Sequence, residues 1–343
     1  MPTTPNGRPR PRAALAMAPA AAAAVFPAAS LAALAQVCDL VPGPVLDDFS
    51  TDRATAVLAE VELLVTGWHC PPLDAAVLAA APRLRAVVHA AGSVRTHVTQ
   101  ECWDRGIEVA SAASANALPV AEYTVAMILL TGKRALERAR DLRATRRRDA
   151  AWLSTPREVG NFGRTVGILS ASLIGRRVIE LLRPYDLRVL LHDPYVTDEE
   201  AAALGVAAVG IGELFAHSDV VSVHTPLLPA TRGLVSRELI AAMRPGAVLI
   251  NTARGAVLDQ DALVEAAADG RIRAVLDVTD PEILPAEHPL WDTDNVLITP
   301  HLAGSQGNEW ERLAELAVSE VARWASGIGF AHPVRRERLA HLA

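Results

Sequence analysis

Cysteine is scarce: Cys38, Cys70 and Cys102 are the only three in 343 residues, far apart and without metal-ligand spacing. An odd, sparse set excludes a disulfide scaffold and a cysteine-based metal site, and it fits buried thiols in a reducing, cytoplasmic setting. Positive charge in excess is also missing. Lys and Arg number 33 against 39 Asp and Glu, a formal net charge of -6, so composition gives no support for a nucleic-acid partner. Internal repeats and low-complexity linkers are absent. A long, strongly apolar run is lacking too, unless the N-terminal stretch "AALAMAPAAAAAVFPAASLAALAQV" after "RPRPR" counts as one. That stretch has the outline of a signal peptide. It is mostly alanine, however, and Pro19 and Pro27 interrupt it. It is read here as a strand (13–18), a turn and a helix (20–36) opening a soluble domain, with no membrane partner expected.

What is present is apolar residue in quantity, 51% of the chain, in a length that suits two domains rather than one. Strand-like runs at 62–67, 85–90 and 107–111 alternate with helix-like runs and describe a small parallel α/β domain. After Pro119 a long helix pattern begins, apolar first and then arginine-rich. Lys133 to Arg148 carries eight basic residues, which reads either as a solvated helix face or as a subunit or anion contact. A second α/β series starts at Thr165. Its strand candidates, at 165–170, 188–192, 220–224, 247–251, 273–278 and 295–299, have helices between most of them and predict a doubly wound sheet. A final helix and a charged tail follow Gly307.

The turn after the first strand of that second series is short of glycine. A dinucleotide-binding βαβ unit normally reads G-x-G-x-x-G there, one glycine for the tight turn, one for close approach of the pyrophosphate and one for helix–strand packing. This chain reads S-A-S-L-I-G, and only Gly175 remains. Serine resists positive φ and fills space near the phosphates. It is nevertheless small, and its hydroxyl can donate to a phosphate oxygen. The helix N-terminus around Ser172, Leu173 and Ile174 still offers backbone amides to an anion. The expectation is a site weakened by about 1–2 kcal/mol rather than lost. Asp193 stands 18 residues beyond Gly175, just after a strand, where a carboxylate binds ribose hydroxyls and repels a 2′-phosphate. NAD is therefore expected over NADP. Asp193 also reads as a plain turn residue before Pro194.

Three later segments, "INTARG" (250–255), "LDVTDPEILPAEHPLW" (276–291) and "NVLITPHLAGS" (295–305), stand in a characteristic order. With "NALPVAEYT" (116–124) and "HTPLLPATRGLV" (224–235), the chain here resembles the D-isomer-specific 2-hydroxyacid dehydrogenase family over roughly residues 12–328. The resemblance implies a Rossmann-type α/β fold of two domains. A nucleotide-binding domain (118–307) would be inserted in a smaller flavodoxin-like substrate domain (1–117 and 308–343). It implies a substrate-binding Arg254, a Glu282 five residues after the aspartate of L-D-V, and a His301 in T-P-H. Asp277 would face the nicotinamide carboxamide, Thr225, Thr252 and Ala253 would line the cofactor site, and Gly304 would lie beside it.

The chemistry asks for these residue types. A 2-oxo acid needs a fixed cation for its carboxylate, and a guanidinium grips it with two parallel hydrogen bonds. Its carbonyl oxygen needs a proton as hydride arrives, which an imidazole supplies near neutrality. A carboxylate beside that imidazole favours its protonated form and fixes its tautomer. Singly, these three residues also read as a strand-end surface arginine, a loop acid and a strand-end histidine. The remaining histidines show no such pattern and read as structural.

The resemblance further implies that the first domain closes over the substrate, with backbone amides of "AAGSVR", at Ser93 and Val94, meeting its carboxylate. Arg95 is an added cation there, either solvated or reading a second acidic group, and Trp68 and His69 follow a neighbouring strand. Departures from the family lie at Ser170, Ser172 and Leu173 in the pyrophosphate turn. Ile283 replaces a common proline after Glu282, which slackens the expected placement of that glutamate. A regulatory domain of the kind some phosphoglycerate dehydrogenases carry is not expected after residue 330. The expected activity is an NAD-dependent interconversion of a small 2-oxo acid and a D-2-hydroxy acid by a homodimer, without a metal. The alternatives are a dinucleotide-sensing protein like the C-terminal-binding-protein corepressors, or a degenerate member with weak NAD binding.

Overall fold

The computed structural model describes residues 9–147, 155 and 158–338. Arg8 of the basic start and Arg148 of the arginine run lie outside the described residues. The chain divides into two compact units, one of Met1–Ala117 with Ser305–Leu342 and one of Leu118–Gly304.

The first unit is built on five parallel strands: β1 (Arg12–Ala16), β2 (Asp39–Leu40), β3 (Leu63–Thr66), β4 (Ala86–His89) and β5 (Glu108–Ser111). Their order is β2-β1-β3-β4-β5, the flavodoxin-like arrangement. β3 and β4 are buried along their whole length, because helices cover both faces of the sheet. One face packs Leu58, Leu64, Leu73, Val87 and Cys102. The other packs Val25, Leu34, Leu63, Val65 and Val88 against Leu313, Ala317 and Val321 of the helix Trp310–Ala325. The first unit is thus completed by residues from the far end of the described chain. The tail continues the same bond, with Val334 N–H donating to the Val109 carbonyl of β5.

The N-terminal run forms two helices, Pro19–Val25 and Ala28–Val37, bent by 86° rather than the single expected helix. Pro27 lacks an N–H and pushes Phe26 out of the helical region, to φ -116° and ψ 69°. Under the ends of β3 and β4, the Thr66 hydroxyl bonds both His89 Nδ1 and His97 Nε2 at 3.0 Å. Both rings are buried, and burial pushes the His97 imidazole down to about 4 and that of His89 well below the ordinary value.

The second unit has seven parallel strands: β6 (Thr165–Leu169), β7 (Arg188–His192), β8 (Ala207–Ala208), β9 (Val220–Val223), β10 (Val248–Asn251), β11 (Arg273–Leu276) and β12 (Val296–Ile298). The order β12-β11-β10-β9-β6-β7-β8 is the doubly wound arrangement, and its direction reverses between β6 and β9. The sequence pattern gives six of these strands; β8 is two exposed alanines and carries no apolar signal.

The helix expected after Pro119 begins earlier, at Ala113, and contains the proline. It is long and apolar enough to cross a membrane, but Ala121, Val125 and Ile128 are buried in the core of this unit. It stops at Gly132, where Gly160 N–H donates to the Gly132 carbonyl and Asn161 Nδ2 to that of Leu129. Arg134 is left-handed at φ 51°, and a second helix, Ala135–Thr145, follows with no buried residue. Arg140 of that helix pairs with Asp294, and Glu137 with the buried Arg273.

Candidate active site

The turn after β6 sits where the strand order reverses. Ser170 takes φ 79°, the left-handed conformation a glycine supplies freely. Its hydroxyl donates to Asp193 Oδ2 at 3.1 Å, not outward toward a phosphate. Ala171 N–H donates to the same oxygen at 2.7 Å, and Tyr195 N–H to Asp193 Oδ1 at 2.9 Å. Ser172 caps the helix Leu173–Leu182, its oxygen accepting from Gly175 N–H at 3.3 Å. Gly175 is obligatory: a Cβ there would stand 2.1 Å from the Ser170 carbonyl oxygen. Ile174 is half-buried and Leu173 exposed. Across the switch point, His224 N–H donates to the Leu169 carbonyl. The next residue, Thr225, has a buried hydroxyl with no hydrogen-bond partner among the described residues. An orphaned hydroxyl at a strand end beside a helix N-terminus is a place for a ligand atom.

On the other half of the same sheet edge, β10, β11 and β12 are neighbours and parallel. The segments leaving their C-terminal ends therefore emerge side by side. After β10, the Asn251 side chain folds the turn, accepting from Ala253 N–H and donating to the Arg254 carbonyl. Thr252 bonds the Thr124 hydroxyl, and Ala253 is buried. Arg254 is exposed, with Nη1 donating to the Ala253 carbonyl at 2.6 Å. A Cβ on Gly255 would lie 2.1 Å from the carbonyl carbon of Thr279, so this turn presses on the loop that follows β11. In that loop the Thr279 hydroxyl bonds the carbonyls of Pro281 and Glu282, which steadies the glutamate despite an exposed Ile283.

Asp277, 2% exposed, holds the segment after β12. Thr299 Oγ1 and Leu302 N–H donate to its Oδ1 at 2.6 and 2.9 Å, and Ala303 N–H to its Oδ2 at 2.9 Å. Because the Thr299 proton goes to Asp277, the Tyr123 hydroxyl, 2.8 Å from Thr299 Oγ1, is the donor in that pair. His301 sits within this clamp in the left-handed region, φ 50°, its N–H bonded to the Asp277 carbonyl. Its Nδ1 lies 2.5 Å from Glu282 Oε1, and both side chains are about half exposed. Nδ1–H pointing at a carboxylate leaves Nε2 as the nitrogen that gains and loses a proton.

Residues 125–303 match the family described as D-isomer specific 2-hydroxyacid dehydrogenase, NAD binding domain. The chain belongs to the D-isomer specific 2-hydroxyacid dehydrogenase family. It is similar to D-3-phosphoglycerate dehydrogenase of Mycobacterium leprae (strain TN), 34% identical over 254 residues, 74% of this chain and 47% of that protein. It is also similar to glyoxylate reductase of Korarchaeum cryptofilum (strain OPF8), 31% identical over 257 residues, 75% of this chain and 77% of that protein. The chain spans about half the length of the mycobacterial phosphoglycerate dehydrogenases it matches. Among solved structures, the TT0316 protein of Thermus thermophilus superposes with a TM-score of 0.75 at 29% identity, covering 94% of this chain and all of that one. The second unit is therefore an NAD-binding Rossmann domain, and the open Thr225 hydroxyl and the helix N-terminus at Gly175 fit that cofactor.

Of the residues the sequence singles out, the structure brings Glu282 onto His301. It places Arg254 one strand away on the same edge, and Asp193 against Ser170. Asp277 is found supporting the His301 segment, its Oδ2 accepting one bond among the described residues, from Ala303 N–H. Gly304 closes that segment at the unit boundary. Ser93, Val94 and Arg95 follow β4 in the other unit. The turn is tied down by the Ser111 hydroxyl, which donates to the carbonyls of Ala91 and Gly92. The Val94 side chain is buried in the core, and Arg95 is exposed. His69 is exposed and left-handed at φ 60° after β3. The sequence assigns no role to Tyr123, Thr299 or Asn251; Tyr123 lies in a segment typical of the family, but its partner is 176 residues away.

Proposed function

We propose that this chain is an NAD-dependent dehydrogenase that interconverts a small 2-oxo acid and the corresponding D-2-hydroxy acid, acting as a homodimer in the cytoplasm. The His301–Glu282 pair, at the same sheet edge as Arg254 in an NAD-binding family, carries this reading. Bound NAD supplies the hydride acceptor or donor, held by Ser172, Leu173, Ile174, Gly175, Asp193, Thr225, Thr252, Ala253, Asp277 and Gly304.

Arg254 binds the substrate carboxylate and orients the carbon to be reduced. His301 gives the Nε2 proton to the carbonyl oxygen in reduction and takes it back in oxidation. Glu282 accepts from Nδ1–H throughout, stabilising the imidazolium and fixing the ring. Asp277, with Tyr123 and Thr299 behind it, keeps the His301 backbone in its left-handed turn. The arginine-rich stretch 133–148, whose helix Ala135–Thr145 has no buried residue, lies near the partner subunit.

Turnover of a panel of 2-oxo acids, followed by NADH absorbance, tests the reading. The wild-type chain should reduce at least one. His301→Ala should lower kcat by about 10²–10⁴-fold while NADH binding, read by nicotinamide fluorescence, stays near normal. Equal rates remove His301 from the mechanism, and NADH binding without turnover of any acid favours the sensor reading.

A further inference from the structure

We infer that Ser170 selects the dinucleotide. It is a positioning residue that acts through Asp193, and the inference rests on the second unit being the NAD-binding domain.

At the first fingerprint position the backbone must turn with positive φ, and Ser170 does so at 79°. A glycine there would be unstrained. The serine brings a hydroxyl placed by that same conformation, and the hydroxyl donates to Asp193 Oδ2 at 3.1 Å. Ser170 N–H also donates to the His192 carbonyl, so the turn is stitched to the end of β7 by main chain and side chain together. Asp193 is held from both sides: Ser170 and Ala171 N–H on Oδ2, and Tyr195 N–H on Oδ1. Pro194 stiffens the backbone immediately after it.

A carboxylate at the end of this strand meets the adenosine ribose of a bound dinucleotide. A 2′-hydroxyl can donate to it, and a 2′-phosphate is repelled by it. Discrimination lasts only while the carboxylate stays in place. Arg176 makes this a live question, because it lies in the first turn of the adjoining helix, exposed, with Nε donating to the Ala171 carbonyl. That guanidinium is a ready partner for a phosphate if Asp193 swings aside. The Ser170 hydroxyl therefore holds the NAD-selecting charge in place beside a turn that also carries a cation from the adjoining helix. In this chain the missing first glycine is exchanged for cofactor choice.

Dissociation constants for NADH and NADPH, measured by nicotinamide fluorescence on the full chain, test this. The wild type should bind NADH more tightly. Ser170→Ala keeps the Cβ and its strain but removes the hydroxyl, and should narrow the NADPH-to-NADH ratio of dissociation constants about five- to tenfold. Ser170→Gly, which folds without strain, should narrow the ratio equally while binding NADH at least as well as Ser170→Ala. An unchanged ratio in Ser170→Ala, or equal weakening of both dinucleotides, overturns the assignment of Ser170 alone. A wild-type chain that binds neither dinucleotide overturns the NAD reading with it.

Discussion

Two serines that look alike in the sequence do different work. Ser170 faces Asp193, whereas Ser172 turns back on its own helix and accepts from Gly175 N–H. Replacing Ser172 by alanine removes a helix N-cap and should destabilise the nucleotide unit by about 1 kcal/mol, seen as a lower denaturation midpoint with an unchanged slope. The sequence shows that both positions lack glycine; it does not show where each hydroxyl goes, because that depends on the chain leaving the turn through a helix and returning along β7 to Asp193. The His301–Glu282 pairing is legible for a different reason. The proposed reaction demands an acid–base group with a partner, and the resemblance to the family points to both residues. The Tyr123–Thr299–Asp277 relay answers to no such demand, and only folded geometry reveals it.

At the scale of elements, uninterrupted apolar runs announce the long strands because buried parallel strands have no polar face to alternate with. Elements set by single backbone constraints are harder to place. The bend at Phe26–Pro27, the break at Arg134 and the two-alanine β8 all escape a reading based on periodicity. Turn-to-turn contact escapes it too. Gly255 in the turn after β10 touches the backbone of Thr279 and Asp280 after β11, with no space for a methyl group. Gly255→Ala should force these two turns apart, costing about 1–3 kcal/mol of stability. It should also lower kcat by displacing Glu282 from His301. A variant with wild-type stability and kcat would show that the two turns are not mechanically joined.

For the molecule as a whole, the buried imidazoles tie stability to acidity. His97 takes up a proton only near pH 4 when folded, because burial disfavours its charged form, but near 6.5 when unfolded. Between these values the unfolded chain holds more protons, so stability falls as pH drops below about 6.5 and the loss is complete near pH 4. From pH 7 to 5 this one group should remove about 2 kcal/mol. His89, shifted the same way, adds to the loss. Urea midpoints at the two pH values should therefore differ less in His97→Gln than in the wild type; an equal difference would assign the acid sensitivity elsewhere. The division into two units is likewise open to the sequence in outline, through two successive α/β series. That the last long helix packs into the first unit is a matter of tertiary burial, which the pattern of apolar residues in that helix does not name.

That helix has a consequence for biosynthesis. A nascent chain that has emerged only as far as Gly304 already holds every strand of both sheets, and all of the nucleotide unit. It still lacks Leu313, Ala317 and Val321, which cover one face of the five-stranded sheet. The NAD-binding half is thus ready before the helix Trp310–Ala325 has been made, and the five-stranded half is the one that must wait, its apolar face bare until that helix emerges.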